Sequence, residues 1–347
     1  MSEPRAGVRF RDAQIEMSHG AGGKASRRLV EGLFAPLFGG AMLEPLGDAA
    51  FLDVEGGGRL AFTADSFVVR PLRFPGGSIG ELAVNGTVND LAVSGARPLA
   101  LLVTMVIEAG LSGAALTAEA EAIADAARRA GVAVVGGDTK VVEHGKADGV
   151  YITTAGIGRV DPRVSCSPFS VRPGDRILVS GPIGDHGITI LLARGDIDLQ
   201  ADLVSDTRSV LPLVMSVVEA AAPGLRWMRD PTRGGVATAL NELARDSGLS
   251  VMLWEDDVPV REPVRGACEL LGLDPLHIAN EGQFLAVVAP ELADAALAAL
   301  RAAPGGGEAA LIGEVRTDPA RTVLAGTSYG STRVVDMLVG DPLPRIC

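Results

Sequence analysis

Five aspartates stand where they can do metal and phosphate chemistry. Asp48 follows Gly47, Asp65 follows the apolar run from Leu60, Asp90 follows Asn89, Asp138 follows Gly136-Gly137, and Asp230 precedes Pro231. Each is expected at a strand end, in a glycine-rich turn or on a polar-faced helix. Hard oxygen ligands in such places suit Mg²⁺ shared with nucleotide phosphates. One aspartate alone is equally a turn former or a helix cap. The whole set favours an Mg–nucleotide site. The net charge of −12 sharpens the point. An acidic chain holds a triphosphate only through metal ions, local backbone N–H groups and a few basic residues, and it has no general affinity for nucleic acid or anionic membrane.

A thiol forms the second chemical feature. The chain ends Pro342-Leu343-Pro344-Arg345-Ile346-Cys347. The two prolines remove backbone donors and fix φ, so the stretch resists joining a helix or a sheet. From Gly340 it reaches roughly 25 Å at about 3.5 Å per residue. Such an arm carries a group into a pocket and out again, although a frayed terminus is the commoner outcome. The thiol is not a prenylation box, which places Cys fourth from the end.

The run His19-Gly20-Ala21-Gly22-Gly23-Lys24 precedes a helical pattern with Leu29, Val30, Leu33 and Phe34. Free N–H groups there suit an anion, which makes Gly22, Gly23 and Lys24 candidate nucleotide contacts. A plain glycine-rich turn fits equally well. The loop is not a Walker A motif, because Ser18 stands where its first Gly belongs and Ala25 follows the Lys. The four histidines, His19, His144, His186 and His277, are scattered and read as hydrogen-bonding or surface residues rather than zinc ligands.

The elements that must position these groups are legible in outline. Short strands are expected over 47–52 and 60–66. A helix starts at Ser78, which has capping-box spacing to Glu81, and runs through Val93. Asn85 and Asn89 share one face of it, with Asp90 beside them. A buried strand is expected over 98–107 and an Ala-rich helix over 117–130, capped by Thr117. A strand at 132–135 is expected to end in the glycine turn before Asp138-Thr139-Lys140, and another strand covers 150–157. The second half opens with a strand at 176–180. Helices follow near 190–192, 208–221, 236–246, 258–271 and 291–302, with strands at 284–288 and 311–316.

The 347 residues suggest two domains. The apolar fraction of 47% allows a large core, and few aromatics among many small aliphatics suit α/β layering. The 44 glycines cluster at loops and exceed the usual ~7%, which suggests backbone approaching a ligand. Three cysteines with no CxxC fit a reducing compartment. No signal peptide is read at the start, and the longest apolar run is too short for a bilayer. A soluble, cytoplasmic protein is expected.

Seven stretches carry a specific resemblance. They are His19-Gly-Ala-Gly-Gly-Lys24, Gly47-Asp-Ala-Ala50, Phe62-Thr-Ala-Asp-Ser-Phe67, Asn85 to Gly95, Gly137-Asp-Thr-Lys-Val-Val-Glu143, Met228-Arg-Asp-Pro-Thr-Arg-Gly-Gly235 and Pro344-Arg-Ile-Cys347. Throughout its length the chain resembles the hydrogenase maturation HypE family, and the last stretch is specific to it. The glycine and Asp motifs are shared with a wider ATP-using superfamily that includes aminoimidazole ribonucleotide synthetase, selenophosphate synthetase and thiamine monophosphate kinase.

The resemblance implies an α/β (α+β), two-domain aminoimidazole-ribonucleotide-synthetase-like fold with a flexible C-terminal tail. Its parts are an N-terminal segment 1–45, an ATP-binding and dimerising domain 46–165, a second α/β domain 166–338 and a mobile tail 339–347. It implies ATP-dependent dehydration of a carbamoyl group on Cys347 to a thiocyanate. The carbamoyl comes from a HypF carbamoyltransferase, and the cyano group goes to iron on a HypC–HypD complex for [NiFe]-hydrogenase. A homodimer, ATP and Mg²⁺ are implied.

Asp48, Asp65, Asp90 and Asp230 are then expected to position metal and phosphate, and Asn89, Asp138 and Thr139 to hold nucleotide with the first glycine loop. Glu281 is the favoured base. Lys140 assists it or holds phosphate, and His144 is an outside candidate because its ordinary pKa sits near neutrality. Cys347 is carrier and, once carbamoylated, substrate; Cys166 and Cys268 are structural.

Two other classes compete. A selenophosphate-synthetase-like enzyme uses a reactive Cys near its N-terminus, and the N-terminal loop here has none. A non-catalytic nucleotide-binding carrier would leave the aspartate set without use. ATP turnover dependent on a carbamoylated tail separates enzyme from carrier.

Overall fold

The computed structural model describes residues 9–38, 47–195, 199, 201–327, 329–340, 343 and 345–347. The first part runs α1 (Gly23–Leu29), α2 (Ala35–Phe38), β1 (Ala50–Asp53), β2 (Arg59–Phe67), β3 (Arg73–Phe74), β4 (Gly77–Ser78), α3 (Ile79–Val93), β5 (Ala96–Glu108), α4 (Gly113–Ala130), β6 (Ala133–Val142) and β7 (Val150–Val160). The second runs β8 (Arg176–Val179), α5 (Asp185–Ala193), α6 (Leu211–Ala221), β9 (Leu225–Arg229), α7 (Gly235–Ser247), β10 (Ser250–Trp254) and α8 (Glu262–Leu271). It ends with β11 (Leu285–Val288), α9 (Pro290–Ala302), β12 (Ala310–Arg316), β13 (Val323–Gly326) and β14 (Thr332–Val334).

Two sheets organise these elements. One has the order β1-β2-β7-β5-β6, and the other has the order β14-β13-β10-β12-β8-β11-β9. Neighbours are antiparallel except β5–β6 and β10–β13. The parallel β5–β6 pair is joined by α4, as a crossover connection requires. Among the described residues, no helix is long and apolar enough to cross a membrane.

Helix α3 is the central piece. Ser78 Oγ caps it by accepting from Glu81 N at 3.4 Å. Nearly every residue from Ile79 to Val93 is buried. A helix buried on every side belongs inside a protein, and α3 lies between the first sheet and α6. Thr87 Oγ1 and Thr154 Oγ1 meet at 2.5 Å, tying the helix to β7. Ala92 and Val93 pack among the apolar residues of α6.

Three local expectations are corrected. Helix α4 starts four residues before Thr117, because Ser112 Oγ accepts from Ala115 N at 3.1 Å and caps it there. Gly136-Gly137 do not end a strand, since β6 continues to Val142. The register slips beside Val135, and a Cβ on Gly137 would lie 1.7 Å from Val103 O. The glycine thus serves a β-bulge with close backbone contact rather than a ligand loop. Asp65 and Asp138 consequently lie within strands β2 and β6, not at strand ends.

The first sheet has one bare face. Phe62, Ile157 and Ala100 share a row there, as do Ala64, Ala155 and Leu102. Phe62 and Leu102 are exposed. Every residue of β6 before Val142 is exposed. An antiparallel sheet facing water normally shows polar residues outward. This one shows apolar residues.

Candidate active site

Three chain segments deliver the acidic residues to one place. Asp48 precedes β1, Asp90 is on α3, and Asp230 follows β9. One carboxylate oxygen from each lies within 4.8 Å of the other two. Thr63 Oγ1 donates to Asp90 Oδ2 at 2.7 Å. Burial first, then the neighbouring carboxylates, pushes Asp48 and Asp90 well above the usual carboxylate range. Burial raises Asp230 to about 6. Asp65 adds its charge to all three.

Such a cluster asks for a cation. Arg229 supplies part of the charge, 3.0 Å from Asp48 through Nε and 2.5 Å from Glu242 through Nη2. Burial opposes the charge on Arg229, but Asp48, Glu242 and Asp230 outweigh it and hold the guanidinium ionised. One arginine shared with Glu242 leaves most of the cluster's charge uncompensated. A hard oxygen donor set of this kind fits Mg²⁺.

Glu281 lies beside this cluster and is 3% exposed. Its Oε1 is buried without a hydrogen-bond partner. Burial, followed by the charges of Asp230, Asp65 and Asp206, lifts its pKa well above the ordinary range, against the pull of Arg233. Asp206 holds the loop in place by accepting from Glu281 N at 3.0 Å and Gly282 N at 3.2 Å. A desolvated carboxylate with one unmatched oxygen is suited to proton transfer.

The tail reaches the same place. The negative charge at Cys347 is the leading influence on Arg233, which also feels Asp65, Glu281 and Asp90. Val68 N donates to Cys347 O at 3.0 Å. His186 Nε2 lies 2.7 Å from Ile346 O. Arg345 pairs with Asp148, and Arg194 donates to the Arg345 carbonyl. Leu343 and Ile346 are buried in the core that contains Ile188 and Ile278. The tail expected as a mobile arm is therefore docked along its described residues, because two apolar side chains and these polar contacts hold it. Pro342 and Pro344, the source of the expected stiffness, lie outside the described residues.

Other expected contacts fall elsewhere. Asn89 is 1% exposed. It donates to Arg208 O at 3.0 Å and Glu281 O at 3.1 Å, and accepts from Val210 N at 2.8 Å. That corrects its expected nucleotide role, since the amide is spent clamping α3 to the Glu281 loop. Lys24 Nζ pairs with Asp336 at 2.6 Å. A Cβ on Gly22 would meet Arg233 at 3.0 Å, and one on Gly23 would meet Leu338 O at 2.5 Å. Both have positive φ. The glycine loop thus packs onto Arg233 and the chain near Leu338, one layer from the carboxylates.

Asp138, Thr139 and Lys140 lie on exposed β6, where Lys140 Nζ pairs with Asp138 at 2.6 Å. The structure does not bring them to the three-aspartate cluster. A groove of ≈ 530 Å³ lies at β6 and α4, lined in part by Val103, Met105, Ile123, Asp138 and Thr139. His144 is exposed and paired with Glu108 at 3.1 Å. Cys166 and Cys268 are raised to about 12 and about 11 by burial, as inert structural thiols should be.

Sequence reasoning missed Arg229, Arg233, Asp206 and the tail contact of His186. The arginines did carry a signal, since both lie in the Met228–Gly235 stretch around Asp230. Asp206 had none, being one acid in an irregular segment.

Comparisons with known proteins identify the family and the fold. The family model for the AIR synthase related protein N-terminal domain matches residues 46–160, and that for its C-terminal domain matches 172–325. Carbamoyl dehydratase HypE of Bradyrhizobium diazoefficiens is 50% identical over 338 residues, covering 97% of each chain. A solved structure of hydrogenase maturation protein HypE in complex with ATP matches at TM-score 0.80 and 44% identity, over 96% of this chain and 100% of that one. The HypE chain of a HypE–HypF complex matches at TM-score 0.83 and 40% identity, over 89% of this chain and 99% of that one. With its two AIR synthase related domains, its clustered aspartates and a terminal cysteine docked beside them, this chain belongs to the HypE family.

Proposed function

We propose that this protein is an ATP-dependent carbamoyl dehydratase that converts an S-carbamoyl group on its own Cys347 into a thiocyanate for the maturation of [NiFe]-hydrogenase. One observation carries the reading. Cys347 is docked through Val68 N and through His186 on the preceding carbonyl, and its charge acts on Arg233 together with those of Asp65, Asp90 and Glu281, whose Oε1 is buried without a hydrogen-bond partner.

The chemistry follows from the difficulty of the step. An amide oxygen is a poor leaving group. Transfer of the γ-phosphoryl of ATP to that oxygen releases ADP and makes it a good one. Departure of phosphate, with loss of both N–H protons, leaves S–C≡N. Mg²⁺ held by Asp48, Asp90 and Asp230 would neutralise phosphate charge.

The protein's own groups do the rest. Glu281 takes one N–H proton through its buried, unpartnered Oε1, and the departing phosphate can take the other. Arg233, exposed at the mouth, offers its cation to the phosphate side. Asp65 reinforces the metal site through its charge. Asn89 and Asp206 hold the Glu281 loop from two sides, so the base does not drift during the reaction.

The bare sheet face supports a homodimer. Its apolar rows need cover, and a second copy supplies the same surface by two-fold symmetry. Asp138 and Lys140 point from that face, because Asp138 pairs across to Thr104 and Thr104 to Thr153. In a dimer, Asp138, Thr139 and Lys140 would work at the subunit boundary. The groove beside them has an apolar floor and two polar groups, which suits a nucleotide base. Lys140 then contributes to phosphate or to the base from there, and Lys24 with Gly22 and Gly23 closes the other side. A HypF carbamoyltransferase loads the thiol, and a HypC–HypD complex receives the cyano group. Three cysteines without a disulfide suit the reducing cytoplasm in which such an exchange would run.

Mass analysis of the C-terminal peptide tests the reading. After incubation with the carbamoyltransferase, carbamoyl phosphate and Mg–ATP, carbamoylation is expected first, then loss of one water only when ATP is present. A carbamoylated tail that never loses water would sink the dehydratase reading.

A further inference from the structure

His186 is fully buried, yet both ring nitrogens are used. Nδ1 lies 2.8 Å from Ser205 Oγ and Nε2 lies 2.7 Å from Ile346 O. The tautomer can be deduced. Ile346 O only accepts, so Nε2 must carry a hydrogen. Ser205 Oγ already accepts from Thr207 N at 3.1 Å. Its own proton is therefore available to Nδ1. Burial depresses the imidazole to about 4, so the ring is neutral at pH 7 and Nδ1 accepts. The edge of Phe74 packs on the ring at 5.6 Å between centroids. Ser205 is fixed in turn through its N–H to Pro75 O at 2.9 Å.

The carbonyl that His186 holds immediately precedes Cys347. A carboxylate oxygen of Cys347, the last residue, accepts from Val68 N at 3.0 Å, three residues beyond Asp65 in the chain. The peptide carbonyl before the Cα of Cys347 and the carboxylate after it are thus both held. One grip comes from α5 and the other from the residue after β2. A side chain whose preceding peptide and following carboxylate are both fixed has little freedom left but its own rotation.

We propose that His186 is a positioning residue for the reaction, its Nε2–H fixing the peptide plane before Cys347 so that the thiol-borne group stays beside Arg233 and Glu281. The proposal deepens the dehydratase reading and rests on it for the chemical step. The grip itself does not depend on that reading. Because the donor addresses a backbone carbonyl, it is indifferent to the side chain at 346. The pocket around Ile346 does the side-chain selection. A neutral ring also releases more easily than a charged one, which suits a tail that must leave to be loaded.

The experiment uses the full chain and reads two quantities. The first is the rate of Cys347 alkylation by iodoacetamide without any partner, followed on the C-terminal peptide. The second is the single-turnover rate of water loss from the carbamoylated tail. In His186→Leu, alkylation should rise and dehydration fall by about tenfold, the worth of one buried hydrogen bond. Carbamoyl loading should be unchanged or faster. His186→Gln, whose amide places a donor near the Nε2 position, should recover most of both effects. Parental alkylation and dehydration rates in His186→Leu would overturn the proposal. So would an equal loss of loading, ATP binding and dehydration that Gln fails to rescue, because that marks a core residue only. Faster alkylation with no dehydration in the parent either would uphold the grip and reject the dehydratase reading.

Discussion

Arg229 Nε stands 3.0 Å from Asp48 Oδ1, although Asp48 precedes the first strand of one sheet and Arg229 ends a strand of the other. Arg229 continues to Glu242, and Glu242 lies 3.4 Å from Arg27 of the N-terminal helix. The three-aspartate cluster is thereby built across both sheets and latched to α1. The cluster needs both parts of the chain, because Asp48 and Asp90 come from the first and Asp230 from the second.

Arg229→Met should expose the cost of that arrangement. Asp48 and Glu242 would lose their shared cation in a largely buried place. Breaking one side of a buried ion pair costs about 3–5 kcal/mol. Urea unfolding should show a lower midpoint, with part of the loss restored by millimolar Mg²⁺. A midpoint equal to the parent's would mean that Arg229 is not the counter-charge.

Ile346→Ala should undock the tail without unfolding the protein. The side chain is 2% exposed and packs in the core near Ile188. Burying an Ile side chain is worth about 1.5–3 kcal/mol. Docking should weaken accordingly, and amide exchange at Val68 should accelerate, since that N–H is held by Cys347 O. Thermal unfolding should barely move. Unchanged exchange at Val68 would show that polar contacts alone hold the tail.

Asp206 gives a stability signal with a defined sign. Burial raises it to about 6, against an ordinary value of 3.8. The folded state then holds its proton more tightly than the unfolded state. Below pH 3.8 both are protonated and no penalty exists. As pH climbs from about 4 towards 6, only the unfolded chain loses its proton, so stability falls with rising pH. Asp206→Asn should remove that part of the slope, read from urea midpoints at pH 4.5 and 6.5. An identical slope in the variant would assign the titration elsewhere.

How much of this was visible in the sequence depends on the kind of information. Asp48, Asp90 and Asp230 were legible as candidates because glycine turns and a polar stretch within a helix are local patterns, and the structure brings the three together. The docking of Cys347 was not, since it depends on Val68 and His186, which lie 279 and 161 positions away by subtraction of residue numbers. Asn89 misled for a related reason. A polar residue in an apolar helix needs partners, but local sequence does not say whether they are ligand or backbone. Gly136-Gly137 read as a turn because a bulge with close backbone approach uses the same residue type.

Leu102→Glu should separate the two copies of the proposed dimer. Leu102 is 47% exposed on the bare face, in register with Ala155. In such a dimer each copy would bury a carboxylate against the other's apolar rows. Sedimentation should shift from dimer to monomer, and ATP binding should weaken if Asp138 and Thr139 work at that boundary. A dimer that persists would place the interface on another surface.

Glu281→Gln should separate loading from dehydration. The variant keeps shape and hydrogen-bonding length but removes the proton acceptor. Carbamoylation of Cys347 should proceed at the parental rate, because that step occurs with the tail outside the cleft. Water loss should slow by about 10²–10⁴, the usual worth of a general base. The pH dependence carries a second check. Burial and the flanking carboxylates hold Glu281 well above its ordinary value, so its basic form is scarce at low pH and grows as pH rises. The parental dehydration rate should therefore climb with pH through a raised pKa and then level. In Glu281→Gln the residual rate should lack that limb. Parental dehydration in the variant, or a rate with the same rising limb, would move the base to another residue, with Lys140 next in line.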